Sequence, residues 1–310
     1  MWNYDFEVPE NKRVRFIIHT DAKNEADDQF TIAHALMTPK LDVRGIVAGH
    51  FNKSTNFPYP DGTTAAASYA EIEKILNLMH VRDQYNVYMG AAHPIPDETT
   101  PMESDGAKFI VEEAMKDDDR PLFIGMMGAI TDLASAILME PRICERMTCI
   151  WIGGDAYPDG GQEFNLMQDI NGANVVFGSK MPVWQVTKQV YKSFTISLAE
   201  LQVKVKPYGQ IGNYLFQQMV DFNTRTGKNM RWPHGEIWNL GDEGVVAAIM
   251  DEPQHVSGFT MQPAPRVNED MSYTLGTIDK QIRVYHEMNA RLDLEDLFAK
   301  LQINFPEKDA

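Results

Sequence analysis

"VRFIIHTDAKNEADDQF", residues 14 to 30, decides how the rest of the chain is read. Val14, Phe16, Ile17 and Ile18 form an apolar run of strand length, and the stretch 26–37 that follows reads as a helix. Between them four acids, Asp21, Glu25, Asp27 and Asp28, fall within eight positions. Carboxylates this close raise one another's pKa or need a cation to hold them. A buried strand that empties into an acidic turn and then a helix is the start of a βα unit with a charged rim.

Working outward, the same alternation continues. Further strand candidates are 43–49, 85–90, 121–128, 147–154 and 181–186, with helix candidates at 64–80, 104–116, 129–138 and 171–179. Near-continuous apolar strands separated by helices predict a mostly parallel central sheet covered on both faces, a Rossmann-like α/β fold. The segments 197–225, 236–250 and 291–302 read as helices, and 251–290 is mixed. No Ser/Gly linker, repeat or low-complexity tract divides the chain, so residues 1–310 read as a single domain.

Composition narrows the function. The 44 acids against 28 Lys and Arg give a formal charge of −16, which disfavours nucleic acid and anionic membrane as partners but not cations or neutral polar molecules. Cys144 and Cys149 have no metal-ligand spacing and suit a reducing compartment. No apolar run reaches the ~18 residues of a membrane span, and the first residues lack a signal-peptide layout. The expectation is a soluble cytoplasmic protein.

Ligands of such sheets sit outside the carboxyl ends of the strands, where the acidic turn lies. Two later strands end there in "GMMGAITD" (125–132) and "IGGDAYPDGGQEFN" (152–165). One aspartate could be a helix cap for 26–37. Asp21, Asp27 and Asp28 together fit a cation better, and oxygen-only donors favour Ca²⁺ or Mg²⁺. The dinucleotide fingerprint G-x-G-x-x-G and the Walker A motif are absent. An aspartyl phosphatase would carry a second aspartate where Lys23 stands.

"TDAKNEADD" (20–28), "MGAITDLA" (127–134), "IGGDAYPDGGQEFN" followed by "QDINGANVVF" (168–177), and "GDEGVVAAI" (241–249) together resemble the nucleoside hydrolases, the inosine–uridine-preferring ribohydrolase superfamily. The likeness runs in order over roughly 14 to 302. It implies a single α/β domain with one Ca²⁺, in preference to Mg²⁺, deep in the pocket. By position, Asp21, Asp28 and Asp242 are implied as side-chain ligands and the Met127 carbonyl as a fourth. Asp21 is also implied as the base that deprotonates a metal-activated water, and Asp27, Glu163 and Asn165 as partners of the ribose hydroxyls. Homodimers or homotetramers are implied as well. Hydrolysing an N-glycosidic bond passes through an oxocarbenium-like state, whose positive charge carboxylates stabilise.

The chain departs from the family in four places. The first turn is two residues longer, which brings in Asn24 and Glu25. His19 stands where an aspartate is usual. Gly241 stands where a histidine commonly precedes the last metal aspartate and protonates the leaving base. The 152–165 loop is short and lacks the usual asparagine for the 5′ hydroxyl. Asn24 and His50 are therefore further candidates for substrate contact, with Asn52 and His93 as rivals on the same rim. The segment 232–238, through His234 and Trp238, is the candidate for the leaving group, Trp238 by stacking on a base. His34 reads as a packed helix residue. The reading as a ribonucleoside hydrolase stands beside two others: a metal-dependent nucleoside- or sugar-binding protein without turnover, and a hydrolase of a different glycoside.

Overall fold

The computed structural model describes residues 2–53, 59–226, 235–251 and 258–306. The strands are β1 (Val14–Thr20), β2 (Leu41–Ala48), β3 (Val87–Met89), β4 (Leu122–Met127), β5 (Thr148–Ile152), β6 (Val183–Val186), β7 (Thr195–Ser197), β8 (Ile237–Asn239), β9 (Phe259–Pro263), β10 (Arg266–Val267), β11 (Tyr273–Thr274) and β12 (Gln281–Tyr285). The helices are α1 (Asp28–Met37), α2 (Thr64–Leu78), α3 (Asp105–Ala114), α4 (Thr131–Met139), α5 (Phe164–Gln168), α6 (Ile170–Gly178), α7 (Lys188–Tyr191), α8 (Leu198–Lys204), α9 (Gly209–Thr226), α10 (Gly244–Met250) and α11 (Ala290–Asn304).

Eight strands make the central sheet in the order β3-β2-β1-β4-β5-β6-β12-β9. All neighbours run parallel except β12 and β9. The order reverses between β1 and β4, and Thr20 lies opposite Met127 at their carboxyl ends. Side chains alternate between two cores as strand geometry requires. Phe16 and Ile18 of β1 join one core, whereas Ile17 joins the other. In β5, Ile150 and Ile152 face the first, while Cys149 and Trp151 face the second. Helices α1, α10 and α11 cover the first face; α3, α4 and α6 cover the second. The α/β fold with a mostly parallel sheet is as the alternation predicts. No helix among the described residues is long and apolar enough to cross a membrane.

Two expected helices need correction, and the stretch read only as mixed takes a definite form. The mixed stretch 251–290 supplies two sheet strands, β9 and β12, which extend the sheet beyond β6. In β12 a charge sits mid-strand: the Arg283 guanidinium lies 3.8 Å from the Trp184 ring centroid and 3.9 Å from that of Phe259, so a cation sits between aromatic faces inside a strand. The helix expected at 236–250 begins only at Gly244, because Ile237–Asn239 pairs antiparallel with Thr195–Ser197. The helix expected at 197–225 is two, α8 and α9, parted where Pro207 precedes Gly209, whose φ is +67°.

Candidate active site

The turn after β1, the ends of β4 and β5, the 163–165 segment, α7 and the turn before α10 surround one cavity at the carboxyl rim of the sheet. Six carboxylates line it: Asp21, Glu25, Asp27, Asp28, Glu163 and Asp242. Asn24, Met127, Asn165 and Tyr191 line it too, as do Ile152, Phe164 and Gly241. It lies beside the point where the strand order reverses, the place such sheets leave open for ligands.

Local structure explains how each acid arrives. Residues 21–27 do not join α1, so their side chains are free to turn inward. Asp27 occupies the cap position of α1 but makes no side-chain cap bond. Its Oδ2 instead accepts from the Gly241 N–H at 3.1 Å, across 214 residues of chain. The cap reading therefore fails, and Asp27 ties the first turn to the one that carries Asp242. Asp28 begins α1 and accepts a short hydrogen bond from the Thr20 hydroxyl at the end of β1. Asp21 lies against Gly128, where an added Cβ would stand 3.0 Å from the Asp21 Cγ. A glycine is thus needed for close approach there.

The acids are under electrostatic strain. Carboxylate oxygens of Asp27, Asp28 and Asp242 all lie within 4.8 Å of one another. The Oδ2 of Asp21 is buried without a hydrogen-bond partner, and so is the Oδ1 of Asn24. Burial first, then Asp28, Glu25, Asp27 and Glu163, push the Asp21 carboxyl well above its usual range. Burial first, then Asp27, Asp28, Asp21 and Glu25, do the same to Asp242. Burial raises Asp28 to about 8 and Asp27 to about 6. Without protons these groups need a positive charge among them, and all-oxygen donors suit a hard cation. The tightest group contains Asp27 rather than Asp21, but both face the same cavity, so the residues present fit a divalent ion.

Glu163 is held differently. It caps α5, accepting from the backbone N–H groups of Asn165 at 3.1 Å and Leu166 at 2.9 Å. It also accepts from Gly154 N–H at 2.9 Å and from the Tyr191 hydroxyl at 3.1 Å. Asn165 donates through Nδ2 to the Ile152 carbonyl at 2.8 Å. Tyr191 and Phe164 went unread in the sequence, because α7 and α5 are too short to leave a periodic signal. Tyr191 packs against Gly241. A Cβ at Gly241 would stand 2.9 Å from Cδ2 of Tyr191, so its ring takes the space a side chain at 241 would need.

The remaining expected contacts lie elsewhere. His50 is 1% exposed, its Nε2 stands 2.8 Å from the Thr131 hydroxyl, and it does not line the cavity. Burial lowers its pKa to about 4. Trp238 is 3% exposed and packs edge-on against Phe222 at 5.3 Å, in the core rather than at the cavity. His234 lies outside the described residues. His93 and Asn52 meet each other at 3.4 Å, away from the cavity. His19, in place of the usual aspartate, is fully buried with Nε2 2.9 Å from Asp132 Oδ2. No histidine among the described residues lines the cavity. His34 is packed in its helix, as its sequence neighbours suggested.

Comparison with known proteins agrees with this geometry. The model of the family described as inosine-uridine preferring nucleoside hydrolase matches residues 16–296. A pyrimidine-specific ribonucleoside hydrolase, RihA of Escherichia coli O1:K1 / APEC, is 21% identical over 220 residues, covering 66% of this chain and 70% of that one. Among solved structures, a plant nucleoside hydrolase superposes with a TM-score of 0.72 at 17% identity, covering 93% of this chain and 98% of its own. The purine-preferring ribonucleoside hydrolase from Gardnerella vaginalis gives 0.70 at 17% identity, with the same shares covered. The chain belongs to the inosine-uridine preferring nucleoside hydrolase family, whose members act on N-glycosidic bonds.

Proposed function

We propose that this member of the nucleoside hydrolase family cleaves the N-glycosidic bond of a ribonucleoside or related riboside with the help of a bound Ca²⁺. The observation that carries the reading is the meeting of Asp27, Asp28 and Asp242 within 4.8 Å, next to the bare Oδ2 of Asp21. Asp21, Asp28, Asp242 and the Met127 carbonyl would hold the ion. When bound, it supplies the charge that keeps these acids ionised and makes a nearby water more acidic.

The chain's own groups account for the rest. Asp21 is the base that takes the proton from the attacking water. The ring of carboxylates offsets the positive charge that grows on the sugar as the bond to the base lengthens. Asp27 and Asn165 accept from and donate to the vicinal hydroxyls, with the unpaired Oδ1 of Asn24 as a further acceptor. Glu163 already accepts four hydrogen bonds, so a sugar hydroxyl there would share or displace the Tyr191 phenol. Phe164 offers the aromatic surface for a leaving base that Trp238 does not. We assign the active form as a cytoplasmic homodimer or homotetramer of one domain per chain; light scattering checks the assembly.

A panel of adenosine, inosine, uridine and cytidine, with p-nitrophenyl riboside as an activated substrate, tests the reading in Ca²⁺ buffer. Free ribose from at least one natural nucleoside supports it. Calcium binding without ribose from any of the five would overturn it, in favour of the binding-protein reading or of a different glycoside as substrate.

A further inference from the structure

Asp242 has a neighbour that does not face the cavity. Glu243 is fully buried, and its Oε2 lies 2.7 Å from Nδ1 of His34 on α1. Asp293, in the first turn of α11 and 3% exposed, completes a trio whose ligand atoms all lie within 4.8 Å of one another. Three of the four carboxylate oxygens in the trio, Glu243 Oε1 and both of Asp293, meet no hydrogen-bond donor. Buried bare carboxylate oxygens are costly unless something positive sits among them.

Among the described residues, the ammonium in contact with this cluster is that of Lys300, whose Nζ stands 3.5 Å from His34 Nε2, and it is already engaged. Lys300 donates to the Thr38 hydroxyl at 2.9 Å and makes a short bond to Asp296. Setting Lys300 against Asp296 leaves the two charges of Glu243 and Asp293, which one divalent cation matches.

The imidazole is arranged for that ion. Its far nitrogen, Nε2, stands 2.9 Å from Asp296 Oδ2. A histidine that binds a metal through one ring nitrogen commonly donates its other N–H to a carboxylate, which fixes the tautomer and the ring. Here Asp296 is that carboxylate, Lys300 anchors it, and Nδ1 is left facing Glu243. One nitrogen with two carboxylates is a borderline donor set. It suits Zn²⁺ and its first-row neighbours, whereas Ca²⁺ takes six or more oxygens. Tetrahedral Zn²⁺ with bonds of about 2.0 Å holds adjacent ligand atoms about 3.3 Å apart. The trio spans that separation.

We propose that His34, Glu243 and Asp293 form a second, buried site for a transition-metal dication of the zinc class. None of the three lines the cavity, so the ion is structural. Its place has a consequence: it would clamp the Gly241–Glu243 turn, which carries Asp242, to α1, which carries Asp28, and to α11.

Metal content tests this without reference to turnover. The full chain is stripped with chelator, saturated with Ca²⁺, titrated with Zn²⁺, freed of loose ions and analysed for both elements. One equivalent of zinc beyond the calcium is expected. Asp293→Asn, close in shape and neutral, should lose that equivalent and keep the calcium, while Asp28→Ala should lose the calcium and keep the zinc. With Co²⁺ in place of Zn²⁺, the intact chain should show the visible absorption of a low-coordinate N/O site, and Asp293→Asn should not. If the variants do not fold, the intact chain alone decides: Zn²⁺ should raise its melting temperature at saturating Ca²⁺. No zinc bound by the intact chain, no such rise, or an undiminished equivalent in Asp293→Asn would mean that a shared proton, not a metal, joins Glu243 to Asp293.

Discussion

Asp21 and Gly241 are the residues on which the proposed chemistry turns. Asp21 is buried with one bare oxygen and surrounded by other acids, which is what a proton acceptor beside a cation requires. Asp21→Asn keeps the shape and removes the base, so kcat should fall by ~10²–10⁴. A loss under tenfold would give the role to another group. Gly241 tests the opposite wall. Alanine there would push on the Tyr191 ring, 2.9 Å from the new Cβ, and through it on the phenol bond to Glu163. Overpacking of this sort costs about 1–3 kcal/mol. Gly241→Ala should raise KM for nucleosides, and Tyr191→Ala in the same chain should relieve the crowding. Kinetics of the single and double variants settle whether the two positions are matched.

At the scale of elements, the long first turn does what a shorter one could not: it adds a carboxylate to the cavity wall. Burial first, then Asp27, Asp28 and Glu163, raise the Glu25 pKa well above its usual range. Removing that charge should relieve the cluster when no cation is present. Glu25→Gln is expected to stabilise the chelated protein by on the order of 1 kcal/mol, with a smaller gain in Ca²⁺; thermal melts in the two buffers measure it. An equal or lower melting temperature in chelator would show that Glu25 is not repelled. The turn, β1 and α1 were legible in the sequence, because an apolar run, an acidic cluster and a helical pattern follow one another with little ambiguity. So were the first six strands and the acids at their rim. The short α5 and α7 were not, and with them Phe164 and Tyr191, since four or five residues carry no period. The strand β12 was hidden by Arg283, whose partner Trp184 comes from distant chain. Trp238 was misjudged for a related reason: proximity to Asp242 in sequence says nothing of which side of β8 faces the core.

For the whole molecule, the clustered acids make stability depend on cation and pH together. A carboxyl whose folded pKa is raised favours the protonated fold. Its cost is absent below the unfolded pKa and grows as pH rises through the folded one. Asp27 at about 6 and Asp28 at about 8 therefore destabilise the chelated chain progressively from about pH 4 to pH 8. His50, lowered to about 4, works in the other direction below its ordinary 6.5, but it does so with or without the ion and drops out of the difference. The rise in melting temperature on adding Ca²⁺ should thus be larger at pH 8 than at pH 5. A rise independent of pH would place the ion away from these acids. The most direct test of the central claim joins the ion to the reaction. Ribose release from a nucleoside substrate is followed while Ca²⁺ is titrated into the chelated chain and into its Asp28→Ala variant. The account predicts that the intact chain is silent without Ca²⁺, recovers with one equivalent at the cavity, and that Asp28→Ala stays silent at the same concentration. Ribose release that survives chelation, or that Asp28→Ala restores at the same Ca²⁺ concentration as the intact chain, would contradict it.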